Sequence, residues 1–260
     1  MIFLNRHFTV AVAGQPALSR PNGIHAQMII PTLAPLFRGP LEPFANSLTL
    51  SPAENVRPAS DLLNHGVLRG QIDRLASFFD DGDRRAVASI WSKSHFSTLI
   101  PVALAANLLL DLDLPVAIDQ VGVVSDERGC TKQIVLPHAG APVSLLRAAQ
   151  RFDAIFEAHV TPLIAALASV SEASPKAFWS NAGYAFDAVV RQARDFGAHA
   201  DAINAGLALM SARSWAGRSN PLYRPLIDHS GGRRLRRVCC LRYRATNVDY
   251  CKTCPLVPLS

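Results

Sequence analysis

Residues 233–256 read RRLRRVCCLRYRATNVDYCKTCPL and hold four of the five cysteines of this 260-residue chain. Cys239 and Cys240 are adjacent, and Cys251 and Cys254 form a Cys-x-x-Cys pair after a gap of ten residues. Four thiolates brought together can bind a tetrahedral Zn²⁺ ion or an iron–sulfur cluster. Because the segment is short, we expect metal ligation to be the main source of its order. Which metal binds decides whether the segment carries electrons or only stabilises a fold.

The spacing alone leaves zinc and an iron–sulfur cluster open. Structural zinc sites usually combine two Cys-x-x-Cys pairs, or one such pair with two histidines. The adjacent side chains of Cys239 and Cys240 tend to diverge, which is awkward for one ion, whereas two irons offer two acceptors. A disulfide pair is disfavoured, because five cysteines in a chain of this length do not make a disulfide framework and we expect a reducing cytoplasm.

The positive charge of the chain is concentrated around these cysteines. Residues 233–254 contain seven basic residues against one acid, so they account for the whole net charge of +6. Guanidinium groups cannot deprotonate, so they favour the more negative, reduced state of a cluster. Because aromatic residues are sparse in the segment, we do not expect nucleic-acid binding. We expect five arginines to dock the substrate or an electron donor: Arg233, Arg234, Arg236, Arg237 and Arg242.

The rest of the chain predicts an α+β fold, mainly helical with a small β-hairpin, followed by the short metal-binding segment. Hydrophobic residues make up 49% of the chain and charged residues 18%, which allows a sizeable core. Eight prolines fall in the first 60 residues, where few helices could form. We therefore expect three parts: a proline-rich segment of open role (1–60), a mainly helical domain (61–232) and the cluster-binding segment (233–260).

Hydrophobic periodicity and breaker residues predict the individual elements. A strand is expected at Thr9–Val12, and two strands near Leu114–Val124 and Cys130–Leu136 form the hairpin. Residues 217–232 are expected to form a loop. The first helix is expected to begin near Asp61. Further helices are expected over 84–91, 97–110 and 144–170, the last of these with a kink near Pro162. Another helix is expected to start at Pro175 after a Ser174 cap, and a final one to run over 201–211.

Several other polar residues have a structural interpretation that outweighs a functional one. We expect His159 to be buried and satisfied by one hydrogen bond. Trp179 is expected in the core, and Asn181 in a packing or capping role. His95 and His138 are expected to line a cleft or lie on the surface. Cys130 is expected to be a small buried hydrophobe.

The cysteine segment resembles a known family. The stretches Arg236–Tyr243 (RRVCCLRY) and Tyr250–Leu256 (YCKTCPL) are similar to the C-terminal [2Fe–2S] motif of the FhuF-like ferric siderophore reductases. Four internal regions also resemble that family, so the similarity covers roughly residues 61–256. These regions are ASIWSK (88–93) with LIP (99–101), LPVAID (114–119), HVTPLI (159–164) and FWSNA (178–182).

The resemblance implies a [2Fe–2S] cluster bound by Cys239, Cys240, Cys251 and Cys254, and an oxidoreductase that passes one electron to a ferric siderophore, expected to be of hydroxamate type. It implies an external electron donor, such as a ferredoxin or a flavin reductase, because the chain has no Gly-x-Gly-x-x-Gly fingerprint.

We see no signal peptide and no apolar run long enough to cross a membrane. We expect a cytoplasmic location, including loose association with the inner face of the membrane. The alternatives are a zinc-stabilised, non-enzymatic binding protein, an electron carrier with another client, and a relative of the siderophore-assembly synthetases. The last is disfavoured, because the chain is short and has no phosphate-cradling loop.

Overall fold

The computed structural model describes residues 30–51, 54–80, 82–146, 150–215 and 217–257. The strand expected at Thr9–Val12 lies outside these ranges. The described helices are α1 (His65–Ala76), α2 (Arg84–Leu109), α3 (Asp153–Ile155), α4 (Thr161–Ser171), α5 (Pro175–Gln192) and α6 (Ala200–Ser211). Together with several short strands they form an α+β fold, as the sequence predicts.

The prolines before α1 shape short 3-10 turns instead of long helices. These turns run over Pro31–Leu36 and Gly39–Phe44 and bury Leu33 and Leu41 in the main core. Proline fixes φ and lacks an N–H donor, so it suits such turns better than a helix interior. The described part of the proline-rich segment therefore contributes to the core.

The central helix α2 is one continuous element, so the prediction of two helices separated near residues 92–96 is wrong. Polar side chains in and next to the expected gap bond within the helix: Ser92 Oγ donates to Ser89 O and Ser97 Oγ to Lys93 O. Both side chains thus satisfy their polar atoms while the helix stays buried on most sides. Asp83 caps its first turn by accepting from Arg85 N at 3.0 Å.

The helix expected over 144–170 is shorter and irregular. It begins with α3, passes through a π-helical turn at Phe156–Val160, and continues as α4. Pro162 stands in the first turn of α4, where its missing N–H is tolerated. The predicted kink is therefore a π-helical turn just before the proline. The stretch Asp153–Ser171 has the length and composition of a membrane-crossing helix, and 56% of its apolar window is buried in the fold.

Four strands form the largest described sheet, in the order β1 (Leu48–Thr49), β5 (Thr131–Val135), β4 (Gly122–Ser125) and β2 (Arg57–Pro58). β4 and β5 form the expected antiparallel hairpin, and β1 pairs parallel to β5. The first strand of the predicted hairpin is shorter than expected. Its early part leaves the sheet to contact the π-helical turn, since Ile118 N donates to Ala158 O.

The remaining described strands form two-stranded pairs. They are β3 (Leu112–Asp113) with β6 (Ala141–Pro142), β7 (Ser214–Trp215) with β8 (Arg218–Ser219), and β9 (Leu226–Asp228) with β10 (Arg234–Arg236). The prediction of a plain loop over 217–232 is therefore wrong, because β8 and β9 lie in it. β10 gives β9 an antiparallel partner from outside the predicted loop, which a local pattern does not reveal.

Helix α5 brings the C-terminal segment against the core. Its N-terminus follows the predicted pattern, with Ser174 Oγ accepting from Lys176 N. At Gly183 the helix approaches the chain before β10 so closely that an added Cβ would lie 2.7 Å from Pro225 Cβ. α5 also packs along α2. The C-terminal segment therefore rests against the two central helices of the fold.

Candidate iron–sulfur site

The four cysteines lie on an irregular segment that follows β10. The sulfurs of Cys240 and Cys251 are 3.8 Å apart, and the Cys239 thiol lies near enough to that of Cys254 for the two to interact. Cys240 and Cys254 are buried, and the other two are half-buried. The thiols therefore meet as two pairs, each combining one cysteine of the Cys-Cys dipeptide with one of the Cys-x-x-Cys motif.

This pairing fits a binuclear cluster. Two sulfurs bound at ~2.3 Å to one tetrahedral metal lie about 3.8 Å apart, which is the separation of Cys240 and Cys251. Within the described ranges, no three His, Cys, Asp or Glu side chains are placed to hold a single ion. Two irons can each use one pair of thiolates.

Backbone amides point at two of the sulfurs. Leu241 N donates to Cys239 Sγ at 3.3 Å, and Leu256 N donates to Cys254 Sγ at 3.4 Å. Leu241 adopts a φ of 63°, in the left-handed region that non-glycine residues rarely use. Such bonds stabilise deprotonated sulfur. Leu241 directly follows the Cys239-Cys240 dipeptide, and its strained backbone turns the chain where its own N–H bonds to Cys239 Sγ.

Positive groups lie around the pair formed by Cys240 and Cys251. The hydrogen bond between the two thiols lowers the pKa of Cys240 and raises that of Cys251, and the charge of Arg236 further favours the Cys240 thiolate. Burial lowers the pKa of Lys93 to about 8, with Arg236 and Arg242 adding repulsion. Within the described residues, the buried Nε of Arg242 has no hydrogen-bond acceptor. An unused donor beside these thiols fits an anionic cluster.

Two helices hold the cysteine segment through buried side chains. Ser89 Oγ of α2 donates to Cys240 O, and Ser180 Oγ of α5 donates to Val238 O at 2.7 Å. Asn181 of α5 donates to both the carbonyl and the hydroxyl of Ser89 at 3.0 Å. The carbonyl groups on either side of the first cysteine are therefore fixed to the core. Sequence reasoning gave these polar residues no role at the site, although two of the family-like regions contain them.

Arg236 is a buried cation between the core and the cysteine segment, and only 3% of it is exposed. Its Nη1 donates to Ser180 O at 2.6 Å and to Asn181 Oδ1 at 3.0 Å. Its Nε donates to Thr253 Oγ1 at 3.2 Å, inside the Cys-x-x-Cys motif. Its guanidinium lies 4.5 Å from the centre of the Tyr184 ring. Arg236 thus joins α5 to the cysteine segment.

The other arginines expected to dock a partner differ in their surroundings. Arg234 donates to both carboxylate oxygens of Asp187 at 2.6 and 2.9 Å and to Asp228 at 2.7 Å. These ion pairs take up its charge inside the protein. The remaining three lie nearer the surface, with Arg233 and Arg242 half-buried and Arg237 exposed. Docking by these five residues stays a prediction.

Of the three histidines considered in the sequence, His95 and His159 are buried and His138 is exposed. His159 is fully buried and makes two hydrogen bonds, donating from Nδ1 to Val116 O and placing Nε2 2.8 Å from His95 Nε2. His95 is equally buried, so the expectation of a cleft or surface position is wrong; its Nδ1 lies 2.7 Å from Thr131 Oγ1. Burial lowers the pKa of both rings, that of His159 to about 4. His138 is exposed.

Two further expectations concern single side chains. Trp179 is half-buried. It packs against the edge of the core and also lines a cleft beside the C-terminal segment. Cys130 is buried as expected, and burial raises the pKa of its thiol to about 11. A thiol with such a pKa is a poor nucleophile and a poor metal ligand at neutral pH.

Two family models match this chain. Residues 89–233 match the family described as ferric iron reductase FhuF-like transporter. Residues 236–256 match the FhuF 2Fe-2S C-terminal domain, which contains all four paired cysteines. The chain belongs to the FhuF family. Its C-terminal cofactor is therefore a [2Fe–2S] cluster, in agreement with the two thiol pairs, and the protein is an iron–sulfur oxidoreductase.

One relative of this FhuF family member carries a functional name. The ferric siderophore reductase of Escherichia coli strain K12 is 23% identical over 184 residues, which cover 67% of each chain. The longer family match begins at Ser89, the α2 residue that donates to Cys240 O, and it includes Ser180 and Asn181. The residues that hold the cysteine segment therefore lie within the FhuF match.

Proposed function

We propose that this FhuF family member reduces ferric siderophores by one electron and so releases Fe(II) in the cytoplasm. The observation that carries the proposal is the meeting of four thiols as two pairs beside a buried guanidinium. The name of the Escherichia coli relative supports the same activity. The proposal includes the division into a proline-rich segment (1–60), a mainly helical domain (61–232) and a cluster-binding segment (233–260).

Within this proposal each cysteine has a defined partner. Cys240 and Cys251 would hold the cluster as one pair, and Cys239 and Cys254 would hold it as the other. When bound, the cluster supplies one electron at a time. The chain positions these ligands through the two central helices, and it keeps the positive charge of Arg236 next to them. Cys239 and Cys251, the half-buried ligands, mark the side on which electrons enter and leave.

The substrate class follows from coordination chemistry. Hydroxamate oxygens are hard ligands that hold Fe(III) far better than Fe(II). One electron therefore lowers the affinity of the chelate and frees the iron. Catecholate complexes should be poorer acceptors, because their stronger anionic ligation stabilises Fe(III) further. We propose a ferredoxin or a flavin reductase as the external donor, since a one-electron centre needs a partner that delivers single electrons.

The test is anaerobic mixing of photoreduced protein with a ferric trihydroxamate chelate. Bleached visible bands should recover as the electron leaves, and a ferrous chelator should trap one Fe(II) per electron transferred. The same chelate loaded with Ga(III), which takes no electron under these conditions, is the matched control. If a panel of ferric chelates fails to reoxidise the protein while an oxidised ferredoxin succeeds, the protein is an electron carrier with another client.

A further inference from the structure

A cleft of about 340 Å³ opens beside Val238, the residue that directly precedes the first cysteine. Its walls come from the start of α5, the chain between β8 and β9, and the residues that follow β10. The side chains that matter for a ligand are Lys176, Trp179, Pro221, Pro225 and Arg237. Cavities of this size commonly hold small-molecule ligands.

The cleft is next to the electron-carrying segment. Val238 lines it, and Cys239 follows in the chain. The Val238 carbonyl is fixed by Ser180 Oγ at 2.7 Å, and Ser180 also lines the cleft. A ligand bound there therefore contacts the residue that directly precedes the half-buried Cys239. This position is suitable for direct electron transfer to a bound ferric chelate.

The charges of the cleft have one sign. Lys176 and Arg237 are exposed and make no ion pair with a carboxylate in the part of the chain that the structure describes. None of the described lining residues is Asp or Glu. Asn220, a polar lining residue, uses its amide within the fold, donating to Leu209 O and Ala212 O. The groups left to meet a ligand are two cations and an apolar wall of Trp179 and prolines.

Another large cavity differs from this cleft in its charges. It measures about 480 Å³ and combines Arg69, Arg84 and Arg85 with Asp83 and Glu172. Arg85 is bonded there to Asp83 at 3.0 Å. Charges of both signs therefore line this cavity, and none of its described lining residues lies next to a cysteine in the chain.

Resting on the proposed function, we infer that the cleft beside Cys239 binds the substrate, and that it selects ferric chelates with net negative charge over neutral ones. A chelate built on citrate with two hydroxamate arms has this charge and an apolar linker, whereas many trihydroxamate complexes are neutral. The negative charge of the complex is attracted to Lys176 and Arg237, and the linker packs on Trp179. One electron then passes from the reduced protein to the chelated Fe(III), giving Fe(II) and the oxidised protein, with no bond formed to the chain.

The test measures binding without electron transfer. Ga(III) complexes of a citrate-based dihydroxamate and of a neutral trihydroxamate are titrated into the oxidised, cluster-loaded protein by calorimetry at low and high salt. The double variant Lys176→Gln/Arg237→Gln should bind the anionic complex about tenfold more weakly, because two exposed cations are lost. The neutral complex should change less than twofold, and high salt should reproduce the loss in the unmodified protein.

The matched control is Lys132→Gln/Arg194→Gln, which removes the same charge from two exposed positions outside the cleft. It should leave both affinities unchanged. Equal binding of the two complexes, or equal losses in the two double variants, overturns the inference. The reoxidation assay separates this failure from that of the proposed function: ferric chelates would still reoxidise the protein if only the cleft were misassigned.

Discussion

Replacing Arg236 with methionine should lower the reduction potential of the cluster. The guanidinium is 3% exposed, and it contacts Thr253 inside the Cys-x-x-Cys motif. Methionine has a similar length but no charge. A cluster with four thiolates carries roughly −2 when oxidised and −3 when reduced, by formal charge over its Cys₄ ligation. A nearby positive charge therefore stabilises the reduced state more.

The size of the effect follows from Coulomb's law. Two unit charges ~8 Å apart interact by about 2 kcal/mol at an effective dielectric constant of about 20. For a one-electron couple this corresponds to about 90 mV. Because the side chain is buried, added salt should change this shift little. The neighbouring Arg237 is exposed, so Arg237→Gln should give a much smaller shift that high salt removes.

The assay is an anaerobic redox titration followed by visible absorption and electron paramagnetic resonance, at low and high ionic strength. Arg236→Lys is the charge-retaining control, and it should recover most of the potential while losing the forked hydrogen bonds to Ser180 and Asn181. An unchanged potential in a fully loaded Arg236→Met protein would refute the electrostatic reasoning. Equal shifts in the Arg236 and Arg237 variants would refute the role of burial.

Three further perturbations test the ligand set, the packing and the buried histidines. Cys130→Ser should leave the visible absorption unchanged, whereas Cys251→Ser should abolish the two irons and two sulfides per chain; the opposite pattern in metal and sulfide assays contradicts our ligand set. Gly183→Ala should lower the free energy of unfolding by about 1–3 kcal/mol, whereas Gly70→Ala, with open space around its new Cβ, should raise it by about 1 kcal/mol. Denaturant titration distinguishes them, and equal effects would exclude tight packing at Gly183. The pKa of His159 is about 4 in the folded protein, below its unfolded value of about 6.5. The unfolded state therefore binds more protons, and the free energy of unfolding should fall by roughly 2 kcal/mol as the pH is lowered from 7.5 to 5. His159→Gln should remove that part of the slope in urea titrations, and an unaltered slope would show that this imidazole does not control acid stability.

The elements that the sequence predicted well are those with local causes. The hairpin of β4 and β5 follows from alternating residues around a polar turn, and the start of α5 follows from a serine before a proline. The break expected inside α2 failed for a physical reason. Serine side chains can bond to the preceding helical turn, so a polar stretch is compatible with a continuous helix once packing stabilises it. β9 was missed because its partner, β10, comes from outside the loop in which it lies.

The sequence by itself determined the chemistry: four cysteines, their spacing, the concentration of positive charge and the resemblance to FhuF proteins. Only the tertiary structure decided how those residues are used. Arg236 and Arg237 are adjacent, yet one is buried and the other exposed, because successive side chains at the end of a strand point to opposite faces. Ser89 and Asn181 are 92 positions apart and meet at the cysteine segment. Such a contact depends on the packing of α2 against α5, which a local pattern does not encode.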